Sequence, residues 1–362
     1  GVKYTHPDLA ANMWVNEGEV DGDGIDNDGD GYVDDIHGYN FVDDGPITWN
    51  VTKVISGVPQ SDSGHGTHVA GTVAAVNNNG IGVAGIAGGT GKGDGVRIMS
   101  CQIFSGTEST NDYSTAQAVK YATDHGASIL QCSYGYAQSN FTSDAAFEEE
   151  SPLLCEALNY FFSKKNCDAI DGGIAVYAAG NNGANSSNYP GGYRECISVT
   201  AISPDYLPTY YTCYGAGCNI AAPGGETIGF VGGERAGILS TVCSETSKGE
   251  DYGYMQGTSM ACPHVSGVAA LGLSYALAKG KHFTREEFMS MLLTSVNDID
   301  SRLEGIKNTG KKIDLEDYAG QMGTGLIDAY KLLMQVEGTP CVTVTAGKEV
   351  RIILTSIFGG SA

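Results

Sequence analysis

The sequence predicts an α/β protein, a three-layer sandwich built on a doubly wound, mainly parallel sheet. Short apolar runs of strand type alternate with amphipathic helical segments through the middle of the chain. Glycine, at 52 residues, is scattered between these segments, and 362 residues are enough to bury a large core. Strands that alternate with helices form parallel sheets with helices on both faces.

Periodicity places the individual elements. In chain order, we expect a strand over 96–104, a helix over 114–125 ended by Gly126, a strand over 128–132, a helix over 153–164, strands over 174–179 and 197–201, a long helix from after Gly257 to about Ala278, a helix over 285–294, and a short helix within 325–334. The last stretch, 341–358, is rich in Val, Thr and Ile and alternates like a strand.

Composition excludes some classes of partner. The chain has 20 basic and 42 acidic residues, a net charge of −22, which repels phosphate backbones and argues against nucleic acid. Its hydrophobic fraction is 41%, and no unbroken apolar run reaches the length of a membrane span, so we expect a soluble globular protein. The ten cysteines form no paired zinc motif. Cys213 and Cys218 flank a short turn. They could form a disulfide across it or remain as two thiols.

The first motif is GHGTHVAG at positions 64–71. A histidine that enters a helix between glycines leaves room for a substrate backbone to pass close to its imidazole. His65 fits a general base, whereas His68, a turn later, is expected to pack inward. The alternative is a histidine that is only packed.

The second motif is GTSMACPH at positions 257–264, where Ser259 begins a long helix. The amino terminus of a helix presents N–H dipoles where an oxyanion would form, and the Ser259 N–H can itself donate to it. For an isolated serine, an ordinary helix cap would be the commoner explanation.

The third motif is AAGNNG at positions 178–183, which ends a buried strand. The amide of Asn181 could supply a second hydrogen bond to the oxyanion. Alternatively, Asn-Gly forms a turn.

These three motifs in this order resemble the subtilase family of serine peptidases. The resemblance extends over about residues 1–333. It implies that Ser259 attacks the scissile carbonyl, that His65 carries the proton to the leaving amine, and that Asn181 and the Ser259 N–H hold the oxyanion. Family resemblance also assigns Ser133, Tyr134 and Gly135 to a strand that pairs with the substrate backbone, although a plain strand end has comparable weight. Cys262 is expected to be a buried thiol, and the Tyr189–Pro190 bond is a candidate cis peptide.

In this family the triad aspartate precedes a Gly-Ile or Gly-Val pair that Gly1 and Val2 match. The resemblance therefore puts the aspartate two residues before Gly1, outside the sequence. Asp8 is a structural residue by the same resemblance, and Asp62, three residues before His65, cannot be assumed to replace it. Either the strand with the aspartate is removed or unrecorded, which we favour, or the protein is a disabled homologue. We accordingly expect a peptidase domain over 1–338 that lacks this strand and an incomplete β-type extension over 339–362.

A dense acidic segment predicts a calcium site. Carboxylates at alternate positions converge when a glycine turns the chain back, and hard oxygen ligands suit Ca²⁺. The predicted ligands are Asp21, Asp23, Asp26, Asp28, Asp30, Asp34 and Asp35. The twelfth position counted from Asp26 is His37, so the segment is no EF-hand, and the alternative is a solvated acidic loop. Asn79 lies in a stretch that resembles a second calcium loop of subtilases. The alternative, of equal weight, is that these are ordinary loop residues.

The resulting hypothesis is a secreted, calcium-stabilised serine endopeptidase that acts on polypeptides. It would have no nucleic-acid partner and no membrane span, and a monomer is expected. Activity would be impaired in a chain without the triad aspartate. Two rivals remain: a catalytically silent homologue that only binds peptides, and a calcium-dependent structural or adhesion module.

Overall fold

A computed structural model describes residues 1–55, 58–106, 108–136 and 141–339 of the chain. The expected C-terminal extension lies outside the described residues except for Thr339. The predicted fold class is confirmed: the core is a mainly parallel sheet between two layers of helices.

The described chain combines short strands and helices with long stretches of loop. The helices are α1 His65–Ala74, α2 Asp112–Asp124, α3 Asp144–Glu150, α4 Pro152–Ser163, α5 Thr258–Ala278, α6 Arg285–Thr294 and α7 Ala329–Glu337. The strands are β1 Gly38–Asn40, β2 Thr52–Ile55, β3 Val58–Ser61, β4 Ser100–Gln102, β5 Phe104–Ser105, β6 Glu108–Ser109, β7 Ile129–Cys132, β8 Ile170–Asp171, β9 Ile174–Ala178, β10 Ile197–Ile202, β11 Ile220–Pro223, β12 Ile238–Thr241, β13 Tyr252–Met255, β14 Phe283–Thr284, β15 Val296–Asn297, β16 Ile306–Thr309, β17 Lys311–Asp314 and β18 Leu326–Ile327.

The central sheet has six strands in the order β15-β18-β11-β10-β9-β7. Strands β7, β9, β10, β11 and β18 pair in parallel, and the edge strand β15 is antiparallel to β18. A separate parallel pair joins β1 to β4. The smaller sheets are two-stranded, including the β12–β13 and β16–β17 hairpins.

Strand β9 shows why the sheet is buried on both faces. Ile174, Val176 and Ala178 belong to the apolar cluster beneath α5, α6 and α7. Ala175 and Tyr177 belong to the opposite cluster, beneath α2, α3 and α4. Successive side chains of a strand point to opposite faces, so a strand covered on both sides is an unbroken apolar run.

Most predicted elements are present, with two differences. The expected strand 96–104 is divided into β4 and β5, and the expected helix within 325–334 is preceded by β18 and runs to Glu337. Helix α5 is long and apolar enough for a membrane span, but 67% of its most apolar window is buried inside the molecule. Cys213 and Cys218 are not joined, and the Cys213 thiol donates a hydrogen bond to Asn182 Oδ1 (2.8 Å).

Candidate active site

Ser259 is the second residue of α5, immediately after a backbone turn at Gly257. Gly257 has a φ of +149°, a conformation that favours glycine. The Ser259 hydroxyl donates to the main-chain oxygen of Ser133 at 3.3 Å. Its main-chain N–H lies at the open amino end of the helix, where backbone donors lack partners within the helix.

The side chain of Asn181 is held by Thr258. Asn181 Oδ1 accepts hydrogen bonds from Thr258 N (2.8 Å) and Thr258 Oγ1 (2.9 Å). Thr258 Oγ1 also accepts from Gly180 N (3.2 Å), and the Thr258 residue is buried. Because these bonds occupy the amide oxygen, the Asn181 NH₂ group remains available to donate.

Two hydrogen-bond donors surround one small space beside Gly257. A methyl group built on Gly257 would lie 3.5 Å from Ser259 N and 3.7 Å from both Nδ2 and Oδ1 of Asn181, and Thr258 already occupies Oδ1. Paired donors at the amino end of a helix stabilise an oxyanion that forms between them. The structure thus brings the predicted residues Ser259 and Asn181 together, and it adds Thr258 and Gly257, whose roles the motif alone did not reveal.

His65 is the first residue of α1, after Gly64 in the left-handed conformation (φ +72°). The residue is partly exposed. Within the described part of the chain, neither ring nitrogen has a hydrogen-bond or ion-pair partner, so no bond to Ser259 is made. Burial of the ring lowers the pKa of His65 below 6.5.

His68 packs inward, as predicted. Its side chain is fully buried, and Nε2 lies 2.8 Å from the main-chain oxygen of Ile238. Burial lowers the pKa of His68 to about 4, so the ring is neutral at physiological pH. His68 therefore anchors α1, whereas His65 lines the same cavity as Ser133.

The predicted substrate segment lies beside Ser259. Ser133 Oγ donates to the main-chain oxygen of Ser259 (2.6 Å), and Tyr136 N donates to Tyr189 O (2.8 Å). The Tyr189–Pro190 bond is cis. Tyr134 continues from β7, and Gly135 passes close to Tyr189, where an added methyl group would lie 3.1 Å from the Tyr189 carbonyl oxygen.

Asp62 and Asp8, the two aspartates considered in place of the triad acid, accept hydrogen bonds from other groups. Asp62 accepts hydrogen bonds from Gly106 N (2.7 Å) and Val51 N (3.0 Å). Asp8 is fully buried and accepts from Asn79 Nδ2 (2.6 Å) and Val83 N (2.9 Å). In the described residues, no carboxylate orients His65.

The acidic segment folds back on itself. Asp26 accepts from the main-chain nitrogens of Gly29 (2.6 Å) and Gly31 (2.9 Å), and Asp34 accepts from those of Gly22 (2.9 Å) and Gly24 (3.2 Å). Asp23 likewise accepts from Ile25 N, and Asp21 lines a small pocket next to Asp34. These bonds hold several carboxylates in fixed positions despite their like charge.

Ligand-type atoms converge in two groups that share Asp28. One group is Asp28, Asp30 and His125, and the other is Glu19, Asp26 and Asp28, with all atoms in a group within 4.8 Å. Sequence reasoning missed Glu19 and His125, since neither belongs to the alternating pattern. Asp35 belongs to neither group but is adjacent to the first: it is fully buried, it is bonded to Asn16 and Tyr121, and its carboxylate lies 3.9 Å from His125 Nε2.

Asn79 points its amide NH₂ at the Asp8 carboxylate, and its own oxygen accepts from Ile81 N at 3.1 Å. The loop after α1 is thus tied to the buried Asp8.

Comparison with known proteins agrees with this geometry. Residues 1–318 match the sequence model of the Subtilase family. Halolysin of Haloferax mediterranei is 33% identical over 274 residues, which cover 76% of this chain and 40% of halolysin. Thermitase of Thermoactinomyces vulgaris is 31% identical over 271 residues, which cover 75% of this chain and 71% of thermitase.

A solved protease structure from Pseudoalteromonas arctica is similar with a TM-score of 0.64 and 26% identity, and the match covers 93% of this chain and 87% of that one. The chain spans less than half the length of halolysin, as the 40% coverage shows.

Proposed function

Because this chain belongs to the subtilase family, we propose that it is the catalytic domain of a serine endopeptidase that hydrolyses polypeptides through an acyl-enzyme on Ser259. The observation that carries the proposal is the space beside Gly257. A methyl group built on Gly257 would lie 3.5 Å from Ser259 N and 3.7 Å from the side-chain amide of Asn181. Two convergent donors next to a serine hydroxyl suit a tetrahedral oxyanion.

The chemistry follows from the three side chains. Ser259 Oγ attacks the carbonyl carbon of the scissile bond while its proton passes to His65. The Ser259 N–H and Asn181 Nδ2 donate to the carbonyl oxygen as it gains negative charge. His65 then protonates the departing amine, and later takes a proton from the water that hydrolyses the ester.

The Ser259 hydroxyl must rotate away from Ser133 O to reach His65, and catalytic hydrogen bonds are often loose before substrate binds. The imidazole also needs an orienting acid. In the described residues none is present, so we expect turnover to be lower by about 10⁴-fold than in a complete triad.

Polypeptides fit the site because Ser133, Tyr134 and Gly135 extend β7 past the nucleophile. An extended peptide can pair with main-chain groups there with little regard to its side chains. Secretion and a monomeric state are further parts of the proposal, and a signal-dependent export assay and analytical ultracentrifugation test them.

An active-site label tests the catalytic proposal. A fluorophosphonate should label this chain at Ser259, and peptide mapping should find no label in a Ser259→Ala variant. A Ser266→Ala variant, altered on the same helix, should label normally. Absence of label in the native chain, or label at another serine, would contradict the assignment.

We also propose that the acidic segment binds Ca²⁺. Glu19, Asp26, Asp28 and Asp30 offer oxygen ligands, and Ca²⁺ would neutralise their mutual repulsion. His125 is a poorer partner for this hard cation, and its Nε2 lies 2.9 Å from Asp30 Oδ2. Asp21, Asp23, Asp34, Asp35 and Asn79 stay predicted ligands beyond these four residues.

Chelation tests this proposal. EDTA should lower the melting temperature, and added Ca²⁺ should restore it more than Mg²⁺, because ligand bound only to the folded state stabilises it. Asp28→Asn, which changes the residue shared by both groups, should remove most of the response. Asp94→Asn, a change elsewhere on the surface, should keep it. An unfolding curve indifferent to EDTA would end the calcium proposal.

A further inference from the structure

A surface loop over 224–237 follows strand β11 and leads into β12. Two apolar side chains are exposed near its tip, Val231 with 97% of its surface and Ile228 with 55%. Residues 227–233 include no charged side chain, although the chain has a net charge of −22. A single exposed apolar residue needs no explanation, but two of them on one short uncharged segment form a candidate contact surface.

The base of the loop is buried and neutralised. Glu226 is fully buried, and its carboxylate accepts a hydrogen bond from Lys307 Nζ (2.8 Å), which is buried as well. Lys307 Nζ lies 5.8 Å from the centre of the Phe230 ring, within the range of a cation–π contact. The charge of Glu226 is therefore paired inside the protein and does not make the loop surface acidic.

Close packing also fixes the middle of the loop. A methyl group built on Gly229 would lie 2.7 Å from Gly310 N, in the turn between β16 and β17. The loop thus rests on the β16–β17 hairpin, and the residues on both sides of Gly229 are held against the protein. Exposed side chains on a fixed loop lose little conformational freedom when a ligand binds them.

The loop is bonded directly to the residue that precedes the proposed oxyanion space. Gln256 Oε1 accepts hydrogen bonds from Thr227 N (2.6 Å) and Thr227 Oγ1 (2.8 Å). Gln256 is followed by Gly257, whose main-chain N–H donates to Gly224 O (3.0 Å) at the start of the loop. The tip of the loop therefore begins within about one side chain's length of the site.

The order of the strands places the loop across the site from Ser133. Parallel strands end at the same edge of the sheet, where β7 leads to Ser133, β9 leads to Asn181 and β11 leads to the loop. Strand β11 is two strands beyond β9, so the loop begins about 10 Å past the strand of Asn181. If the part of a polypeptide before the scissile bond pairs with 133–135, as proposed above, the part after that bond extends toward the loop.

We propose that Ile228 and Val231 bind apolar side chains of the polypeptide substrate on the carboxyl side of the scissile bond. This inference rests on the proposed peptidase function and adds a substrate preference to it. An extended peptide rises about 3.3 Å per residue, so the second and third residues after the scissile bond come within reach of the loop. Apolar side chains at these positions leave water on contact with Ile228 and Val231, whereas polar ones gain nothing.

Acyl transfer to added peptides measures this preference without requiring cleavage of a peptide bond. The p-nitrophenyl ester of a blocked amino acid acylates Ser259, and a tetrapeptide amide then competes with water for the acyl group. The peptide amine attacks the ester carbon, the bond from that carbon to Ser259 Oγ breaks, and the amine proton passes through His65 to Ser259 Oγ. Mass spectrometry gives the ratio of amide to free acid, and the Ser259→Ala variant gives the uncatalysed background.

Two peptides of equal length provide the comparison. Gly-Leu-Leu-Gly amide should accept about 5- to 10-fold more acyl group than Gly-Ser-Ser-Gly amide, because its leucines bury apolar surface on the loop. A variant with both Ile228→Ser and Val231→Ser should bring this ratio to within about twofold of unity. Leu153→Ser changes a residue of similar exposure (49%) on helix α4 and should keep the native ratio. Each ratio is taken within one protein, so a low overall rate does not affect it.

The outcomes separate this inference from the function on which it rests. A native chain that is not acylated at Ser259 would overturn both. Acylation with equal transfer to the two peptides, or a preference for leucine that the double variant retains, would overturn only the role of the loop. The role is also refuted if the loop serves another occupant and shows no transfer preference. Sedimentation would then reveal a dimer, or binding to phosphatidylcholine vesicles, that the double variant loses.

Discussion

At the scale of single residues, Thr258 controls the geometry of the oxyanion donors. Its hydroxyl donates to Asn181 Oδ1 at 2.9 Å and accepts from Gly180 N at 3.2 Å. The threonine therefore fixes the amide of Asn181 with its NH₂ group outward, while its own backbone begins the helix that carries Ser259. Its side chain acts through Asn181 and needs no contact with substrate.

Replacing Thr258 by valine should slow reaction at Ser259. Valine keeps the shape but removes both hydroxyl bonds, so Asn181 loses orientation and part of its oxyanion stabilisation. We expect the fluorophosphonate labelling rate to fall about 10–100-fold, less than for outright loss of a donor. Thr258→Ser, which retains the hydroxyl, should stay within about threefold of the native rate. Equal rates for the valine and serine variants would refute the positioning role.

The pKa of His65 sets the acid limit of labelling. A general base works in its neutral form, and burial lowers the pKa of His65. The labelling rate should therefore decline only below about pH 6.5, the ordinary value for histidine. A carboxylate beside the ring would raise this pKa and move the decline to higher pH. A decline already centred above the ordinary value in the chain alone would contradict this electrostatic account.

Sequence motifs predicted the candidate reactive residues but not the residues that support them. His65, Ser259 and Asn181 lie in short segments with recognisable neighbours. The supporting pairs, such as Thr258 with Asn181 or Glu19 with Asp28, join residues distant in sequence or outside any pattern. Only the folded arrangement brings those together.

At the scale of elements, helix α1 is docked on strand β12 by side-chain bonds. Ser240 Oγ donates to His68 O (2.7 Å) and Thr241 Oγ1 donates to Thr67 O (2.8 Å). Gly71 faces this contact, where an added methyl group would overlap the hydroxyls of both Ser240 and Thr241. Close approach of the strand thus positions the helix that begins with His65.

Gly71→Ala should destabilise the protein although alanine favours helices. The alanine gains about 1 kcal/mol of helix propensity, but overpacking against β12 costs about 1–3 kcal/mol. We expect a lower melting temperature and slower labelling at Ser259, since α1 must shift. Gly45→Ala, where a methyl group meets open space, serves as the control and should leave both unchanged. A Gly71→Ala variant more stable than the native chain would show that α1 yields without strain.

Element prediction succeeded where periodicity was strong and long. The bounds of α5 and α6 agree closely with expectation, because each combines a clear start signal with an apolar helical pattern. Strand β11 and the β12–β13 and β16–β17 hairpins were not predicted. They are only four residues each, and their partners are chosen by the fold, not by local sequence.

At the scale of the whole molecule, buried histidines couple stability to pH. His68 is fully buried, and its pKa of about 4 lies below that of an unfolded histidine. The unfolded chain therefore binds more protons between about pH 6.5 and pH 4. Across that window, the free energy of unfolding decreases as the pH is lowered. Burial also lowers the pKa of His264, which adds to the effect.

Removing the His68 titration should flatten this dependence. Between pH 7 and pH 5 the native chain should lose about 2 kcal/mol through His68 alone. His68→Gln should start less stable at pH 7 but lose about that much less on acidification, as measured by urea unfolding at each pH. His282→Gln is the opposite case, because hydrogen bonds to Asp168 O and to Asp171 raise the pKa of this exposed histidine, and its removal should steepen the loss of stability on acidification. Parallel curves for His68→Gln and the native chain would refute this linkage.

The layered architecture was predictable as a whole, because parallel strands covered on both faces leave an unmistakable apolar rhythm. The pairing of β4 was not predictable: it pairs with β1 in a separate sheet and not with β7. The sequence predicted strands near 96–104 and 128–132, but neighbours along a chain need not be hydrogen-bonded in the sheet. Which strands touch is a property of the folded chain alone.

Ser259 lies in the first turn of a 21-residue helix, and most of that helix is buried inside the molecule. A reactive group on a surface loop can be lost through local fraying while the rest of a protein stays intact. Here Ser259, the proposed nucleophile, cannot be lost in this way, since α5 cannot unfold locally without disrupting the core around it. Thermal inactivation of this protein would therefore report on the survival of the entire fold.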